Sequence, residues 1–231
     1  MKRIILIIFI AFNSNYVKSQ TISGFYVKQL TGGIGDSDKL SEKVKAPELY
    51  EYIYSNNKSS LKLLTKGGTT IDTLQRHNDK YNIDYETVET NIKMSDYIFV
   101  KNLKDKKFEN IYNLKNNEIF IKDSLPKFNW TITDETKIIG GFVCKKANTT
   151  YTSFGYKFPI IAWFCEQIPI NDGPFHFYNL PGLIFELSSE KLFVIKFIDF
   201  KYDEKKSVDI QNIETELQPI TIKELENKWR K

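Results

Sequence analysis

Between Phe25 and Phe200 the chain is built from short runs of aromatic and β-branched residues separated by polar turns. It contains no long apolar segment, internal repeat or Pro/Ser-rich linker. Such side chains pack well on a pleated, half-buried surface, so the pattern points to strands. The 17 Phe and 13 Tyr bring aromatic content to 14%, which strengthens that reading. A balance of 41% hydrophobic to 27% charged residues is ordinary for a globular protein and excludes wholesale disorder. A chain of 231 residues is long enough for one good core.

Phe25 and Val27 suit a first strand. Tyr50, Tyr52 and Tyr54 then alternate with other residues, Asn56-Asn57 makes a turn, and Leu61 and Leu63 return, as in a hairpin. Residues 66–94 are polar, lack a sustained period and read as the least structured part. A meander follows, with strands expected at 97–101, 108–114, 118–122, 130–133, 137–151, Tyr156–Cys165, 183–187 and 191–200. Between the first two of these, the basic stretch from Lys101 to Lys107 reads as a solvated turn.

In the last strand, Leu192, Val194, Ile198 and Phe200 oppose Phe193, Ile195 and Phe197. Apolar residues on both faces imply a strand covered on both sides, or one that lines an apolar cavity. Thr221 and Glu224 have capping-box spacing, and Ile222, Leu225 and Trp229 share one helical face, so a helix is expected over 221–230. The expected fold is mainly β: a large antiparallel sheet, an open or half-barrel meander, with a short C-terminal amphipathic helix.

The first 19 residues read as a signal peptide. Lys2 and Arg3 form a basic start, Ile4 to Phe12 a short apolar run, and Val17-Lys18-Ser19 a processing site, with cleavage expected after Ser19. The run is too short to cross a bilayer, which takes about 20 residues. The first cysteine is Cys144, so anchoring through an N-terminal lipidated Cys is not expected. Export to the periplasm, the outer envelope or the medium follows, with residues 20–231 as one β-rich domain. Three of the 33 basic residues leave with the leader and none of the 29 acids, so a net charge of +4 falls to +1. That balance gives no footprint for nucleic acid.

Residues 130–187 carry ordered motifs: Trp130, Gly140-Gly141-Phe142-Val143-Cys144, Ala162-Trp163, Ile168-Pro169-Ile170, Asp172-Gly173-Pro174 and Asn179-Leu180-Pro181-Gly182-Leu183-Ile184. In order and spacing these resemble the GLPGLI family of exported bacterial proteins, named for its last motif and of unknown function. The resemblance implies export and a β-rich fold, and brings no catalytic residues and no cofactor. Family members commonly keep the first of the two cysteines and not the second. Where the family has its first motif Gly, this chain has Asn179; Asn is the next residue to tolerate positive φ, so a left-handed turn is expected there.

Asp172-Gly173-Pro174 and Leu180-Pro181-Gly182 each read as a turn, which makes 171–182 a rigid loop between two strands. It either covers one end of the sheet or presents Phe175, Phe177, Tyr178 and Asn179 as a recognition surface. Gly182 resists a side chain if its φ is positive, and at least one of Leu183 and Ile184 belongs to the core.

A two-residue hairpin tip at Phe154-Gly155 sets Cys144 opposite Cys165, within disulfide range, and an exported protein meets oxidising conditions. The histidines are His77 and His176. With two distant cysteines they make a poor zinc set, so no metal is expected. No phosphate-binding or nucleophile-elbow motif occurs: Gly32-Gly33-Ile34-Gly35 reads as a turn, as does Asp134-Glu135.

The leading functional expectation is a non-enzymatic binding or carrier module for an apolar ligand or a partner protein. By analogy of outline, a half-barrel with a docked helix is similar to periplasmic lipoprotein carriers. The alternatives are a hydrolase using His176 with Asp172 or Cys165, and a structural component of an envelope assembly.

Overall fold

A computed structural model describes residues 21–32, 46–78, 80–93, 95–114, 117–153, 155–190, 192–203 and 206–229. The expected leader and its processing site lie outside these residues, as do Gly33, Gly35, Met94, Phe154 and Arg230. The strands are β1 (Thr21–Leu30), β2 (Glu48–Ser55), β3 (Lys58–Leu63), β4 (Gly68–Asn78), β5 (Ile83–Lys93), β6 (Ser95–Asn102), β7 (Lys107–Leu114), β8 (Asn117–Ser124), β9 (Thr131–Ile139), β10 (Phe142–Ser153), β11 (Tyr156–Cys165), β12 (Leu183–Ser189) and β13 (Phe193–Asp203). One helix, α1 (Ile222–Trp229), follows.

Eleven strands form one sheet in the order β8-β7-β6-β3-β2-β1-β13-β12-β11-β10-β9, so the fold is mainly β and the sheet does not close into a barrel. The named neighbours pair antiparallel. Alternation puts Ile22 and Tyr26, then Tyr50, Tyr52 and Tyr54, then Leu61 and Leu63, on the buried face. Tyr97 and Phe99, Ile160, Ala162 and Phe164, and Ile195 and Phe197 continue it. The Tyr50–Leu63 hairpin forms as expected, and Asn56 (φ 51°) and Asn57 (φ 61°) give it the left-handed turn that matches strand twist.

Four sequence expectations need correction. Residues 66–94 hold strand pair β4–β5, a separate two-stranded sheet. Strand 137–151 is broken at Gly140 (φ 57°) and Gly141 (φ 86°), which turn β9 into β10. Asp134 and Glu135 therefore sit within β9, where Glu135 pairs with Lys146 at 2.8 Å. In β13, Ile195 and Phe197 are buried, but Lys196 and Ile198 are exposed, so the strand is covered on one face there. The bulge at Asp199 (φ 53°), opposite the register shift at Ser23/Phe25, flips the alternation. Phe200 thereby turns back toward Phe197 and Phe185, at ring distances of 6.2 and 6.1 Å.

α1 begins with the expected capping box: Glu224 N–H donates to Thr221 Oγ1 (3.2 Å), and Thr221 N–H to Glu224 Oε2 (2.7 Å). Leu225 is buried, and α1 docks beside β8, where Ile222 N–H donates to Asp123 Oδ2 at 3.0 Å. Before it, residues 206–221 form a strap across the sheet. Lys206 O accepts from Thr21, Val208 N–H donates to Ser55, Ile210 O accepts from Lys58, and Ile213 N–H donates to Glu109. Ile220 ends the strap as a parallel bridge to Ile121.

Candidate functional site

The loop between β11 and β12 does more than cover an end of the sheet. Asp172, which has no solvent exposure, forms a buried ion pair with Lys101 of β6 and accepts a hydrogen bond from the Tyr52 hydroxyl of β2 at 2.7 Å. Lys101 Nζ also donates to Gly173 O at 2.5 Å. On the other side, Trp130 Nε1 donates to Tyr178 O at 2.9 Å, and Tyr151 of β10 meets the His176 ring at 4.9 Å. Strands β2 and β6 lie several places from β10 in the sheet, so the sheet curls around this loop, which plugs its concave side. Burial pulls the Lys101 ammonium below its usual range while Asp172 pulls it back. Lys101 belongs to the inward-facing row with Tyr97 and Phe99, so the basic stretch reads correctly as a turn only from Leu103 onward.

The motif residues divide between plug and frame. Leu180, Gly182, Leu183 and Ile184 are buried, and so are Gly173 and Pro174; Pro169 and Pro181 are exposed. Asn179 is exposed with φ 70°, the left-handed conformation expected where the family has Gly, and its N–H donates to Asn171 O at 3.1 Å. Gly182 is needed for another reason than positive φ. A Cβ there would lie 2.1 Å from Cys165 O, so the close approach of two backbones excludes any side chain. Trp163 faces outward under Lys137 Nζ, 4.4 Å from its ring centroid.

Of the expected recognition residues, Phe177 and Tyr178 are buried at 4% and 7% exposure, Phe175 is half-buried and Asn179 is exposed. Phe177 stacks on Phe128 at 5.0 Å and serves as core.

The disulfide is not formed: Cys144 and Cys165 are free and buried. The expected register holds from Ser153↔Tyr156 to Lys145↔Phe164, and the ladder ends one pair before the cysteines. Each sulfur then turns elsewhere, Cys144 Sγ to Phe142 O and Cys165 Sγ to Gln167 Oε1, both at 3.8 Å. Burial pushes the Cys144 thiol up to about 12, so it is not a nucleophile at neutral pH. His176 Nε2 is buried without a hydrogen-bond partner among the described residues, and Asp172 is committed to Lys101 and Tyr52. Burial, then the Lys101 charge, lowers the His176 pKa to about 4, so the ring is neutral at pH 7. No group of three or more His, Cys, Asp or Glu able to hold a metal occurs among the described residues.

The plug leaves one end of the concave side open as a cavity of about 340 Å³. Its walls are Tyr50, Tyr97, Tyr151, Phe175 and Phe193, with Phe158, Ile160, Phe177, Leu192 and Ile195 also lining it and Lys28, Ser153 and His176 as its polar members. Lys28 Nζ is 2.9 Å from Glu48 Oε2, which also accepts from the Tyr50 hydroxyl at 2.9 Å. Such a volume falls in the range of small-molecule sites. Sequence reasoning found Phe175 and His176, and the tyrosine row of β2, but not their convergence. The signal lay in strands far apart in the chain.

A model of a family described as "Protein of unknown function (Porph_ging)" matches residues 154–186, the stretch from the β10–β11 tip through the plug into β12. The match does not identify the GLPGLI family itself. No curated protein matches the chain. Among solved structures, PNGF-II crystallised in space group C2 aligns with TM-score 0.50 and 19% identity over 82% of this chain and 28% of that one. PNGF-II in space group P21 aligns at 0.49 and 15% over 82% and 29%. At 19% identity the first likeness concerns the fold alone, and this chain spans less than a third of the PNGF-II chain.

Proposed function

We propose that this protein is an exported, non-enzymatic binding or carrier module for an apolar ligand, acting in the periplasm, at the outer envelope or in the medium. The observation that carries the reading is the open, aromatic-walled cavity left beside the plug. A fold with no use for a ligand fills its interior with side chains. Here the ring of plug and strands stops short at one end. The basic-apolar leader supports export, and the apolar lining of the cavity supports a role in binding.

Two measurements test the proposal. Titration of the purified chain with apolar fluorophores is expected to give saturable enhancement with one site per chain; enhancement that rises linearly without saturation would count against a defined site. Intact mass of the exported protein is expected to show a chain beginning at Gln20, and retention of Met1 would refute processing after Ser19.

A further inference from the structure

We infer that the ligand of this cavity is an uncharged, ring-bearing molecule clamped by Phe175, an inference that rests on reading the cavity as the binding site. The first support is the state of its polar groups. Lys28, the one lysine or arginine among the described lining residues, is already paired with Glu48, and Glu48 is further satisfied by Tyr50. An entering carboxylate would have to displace Glu48 from Lys28, and an entering cation would have to displace Lys28 from Glu48. Asn110 lies beside the Tyr97 hydroxyl and Ser153 beside that of Tyr151. His176 Nε2 is buried without a partner among the described residues, so the wall offers one open hydrogen-bonding atom to an uncharged ligand and too few to repay the desolvation of a polyol.

The second support is the backbone of Phe175 itself. Its φ is 52°, a left-handed conformation that a bulky residue seldom adopts. Strain of this kind persists where the surroundings over-determine it, and it concentrates at ligand clamps. Two residues earlier, Gly173 O is fixed by Lys101 Nζ; two residues later, Phe177 N–H closes a turn onto Pro174 O at 3.1 Å. The plug thus forces the Phe175 ring into the cavity wall, perpendicular to Tyr50 (5.1 Å, 83°) and Tyr97 (5.8 Å, 78°). Walls at right angles offer a flat ring one face to stack on and another to meet edge-on, the two arrangements aromatic pairs favour. A flexible acyl chain gains nothing from that geometry.

The test uses the processed full chain and the uncharged fluorophore N-phenyl-1-naphthylamine, displaced in turn by naphthalene, dodecanoate and dodecyltrimethylammonium. Naphthalene is expected to displace it, and the two charged amphiphiles to do so at least about tenfold less well. Phe175→Ala is expected to weaken fluorophore binding at least about tenfold, and Phe175→Tyr to restore it. Phe175→Leu keeps an apolar side chain of similar reach, so it serves if the Ala variant fails to fold; it is expected to melt near the parent and still bind weakly. Charged amphiphiles competing as well as naphthalene would overturn the inference and leave the carrier reading standing. A folded Leu variant with undiminished binding would overturn the clamp. Absence of binding by all four probes would remove both readings.

Discussion

His176 lies where burial and the Lys101 charge both oppose its protonation, which lowers its pKa to about 4 against about 6.5 for an unfolded histidine. Between those two values the unfolded chain binds the extra proton and the folded one does not, so stability rises with pH across pH 4 to 6.5 and falls on acidification. The ceiling is about 3 kcal/mol, reduced by the partial exposure of the ring. His176→Leu is therefore expected to flatten the stability–pH curve in that window relative to the parent, measured by denaturant unfolding at several pH values; parallel curves would refute the assignment. Asn179 and Gly182 make a contrasting pair. Asn179→Gly should be near neutral and Asn179→Val should cost about 1–2 kcal/mol, because only φ is at stake on an exposed residue. Gly182→Ala should cost more, about 3 kcal/mol, because the methyl group would meet the Cys165 carbonyl. Equal effects on the melting curve for Ala at 182 and Val at 179 would show the distinction to be wrong.

At the scale of elements, the plug is held to the sheet chiefly through Lys101 and Asp172. Lys101→Met leaves a buried carboxylate without its cation and is expected to cost about 3–5 kcal/mol, whereas Lys101→Met with Asp172→Leu should recover part of the loss. Denaturant midpoints of the two variants check this, and a double variant worse than the single would contradict it. The hairpins and the capped helix were legible in the sequence because their signals are local: Asn56-Asn57 between two alternating runs, Thr221 three residues before Glu224. The arm β4–β5 was missed because its strands pair with each other in a separate sheet and leave Ile71 and Ile83 exposed, so no buried face imposes a sustained period. The inward turn of Lys101 was missed because its partner is 71 residues away in sequence, and charge alone points a lysine outward. The strap over 206–221 has no periodicity, since side-chain and backbone hydrogen bonds to the sheet hold it rather than a ladder. At the site, Phe175 and His176 were legible as loop residues, but Tyr97, Tyr151 and Phe193 reach them only through the curl of the sheet.

The whole molecule is an open antiparallel sheet that wraps the loop between β11 and β12, with the loop filling most of the concave side and leaving an apolar end open. Plug and cavity are one device, because the contacts that pin Asp172 and Gly173 also set the wall at Phe175. It follows that filling the vacancy should abolish binding without disturbing the fold. Leu192, at the cavity edge where β12 turns into β13, is the position to fill. The decisive measurement is the affinity of N-phenyl-1-naphthylamine for Leu192→Trp, taken beside its far-UV circular dichroism and melting temperature. Parent-like spectra and melting are expected, with binding reduced at least about tenfold. Undiminished binding by a folded Leu192→Trp chain would contradict the claim that this cavity is the site.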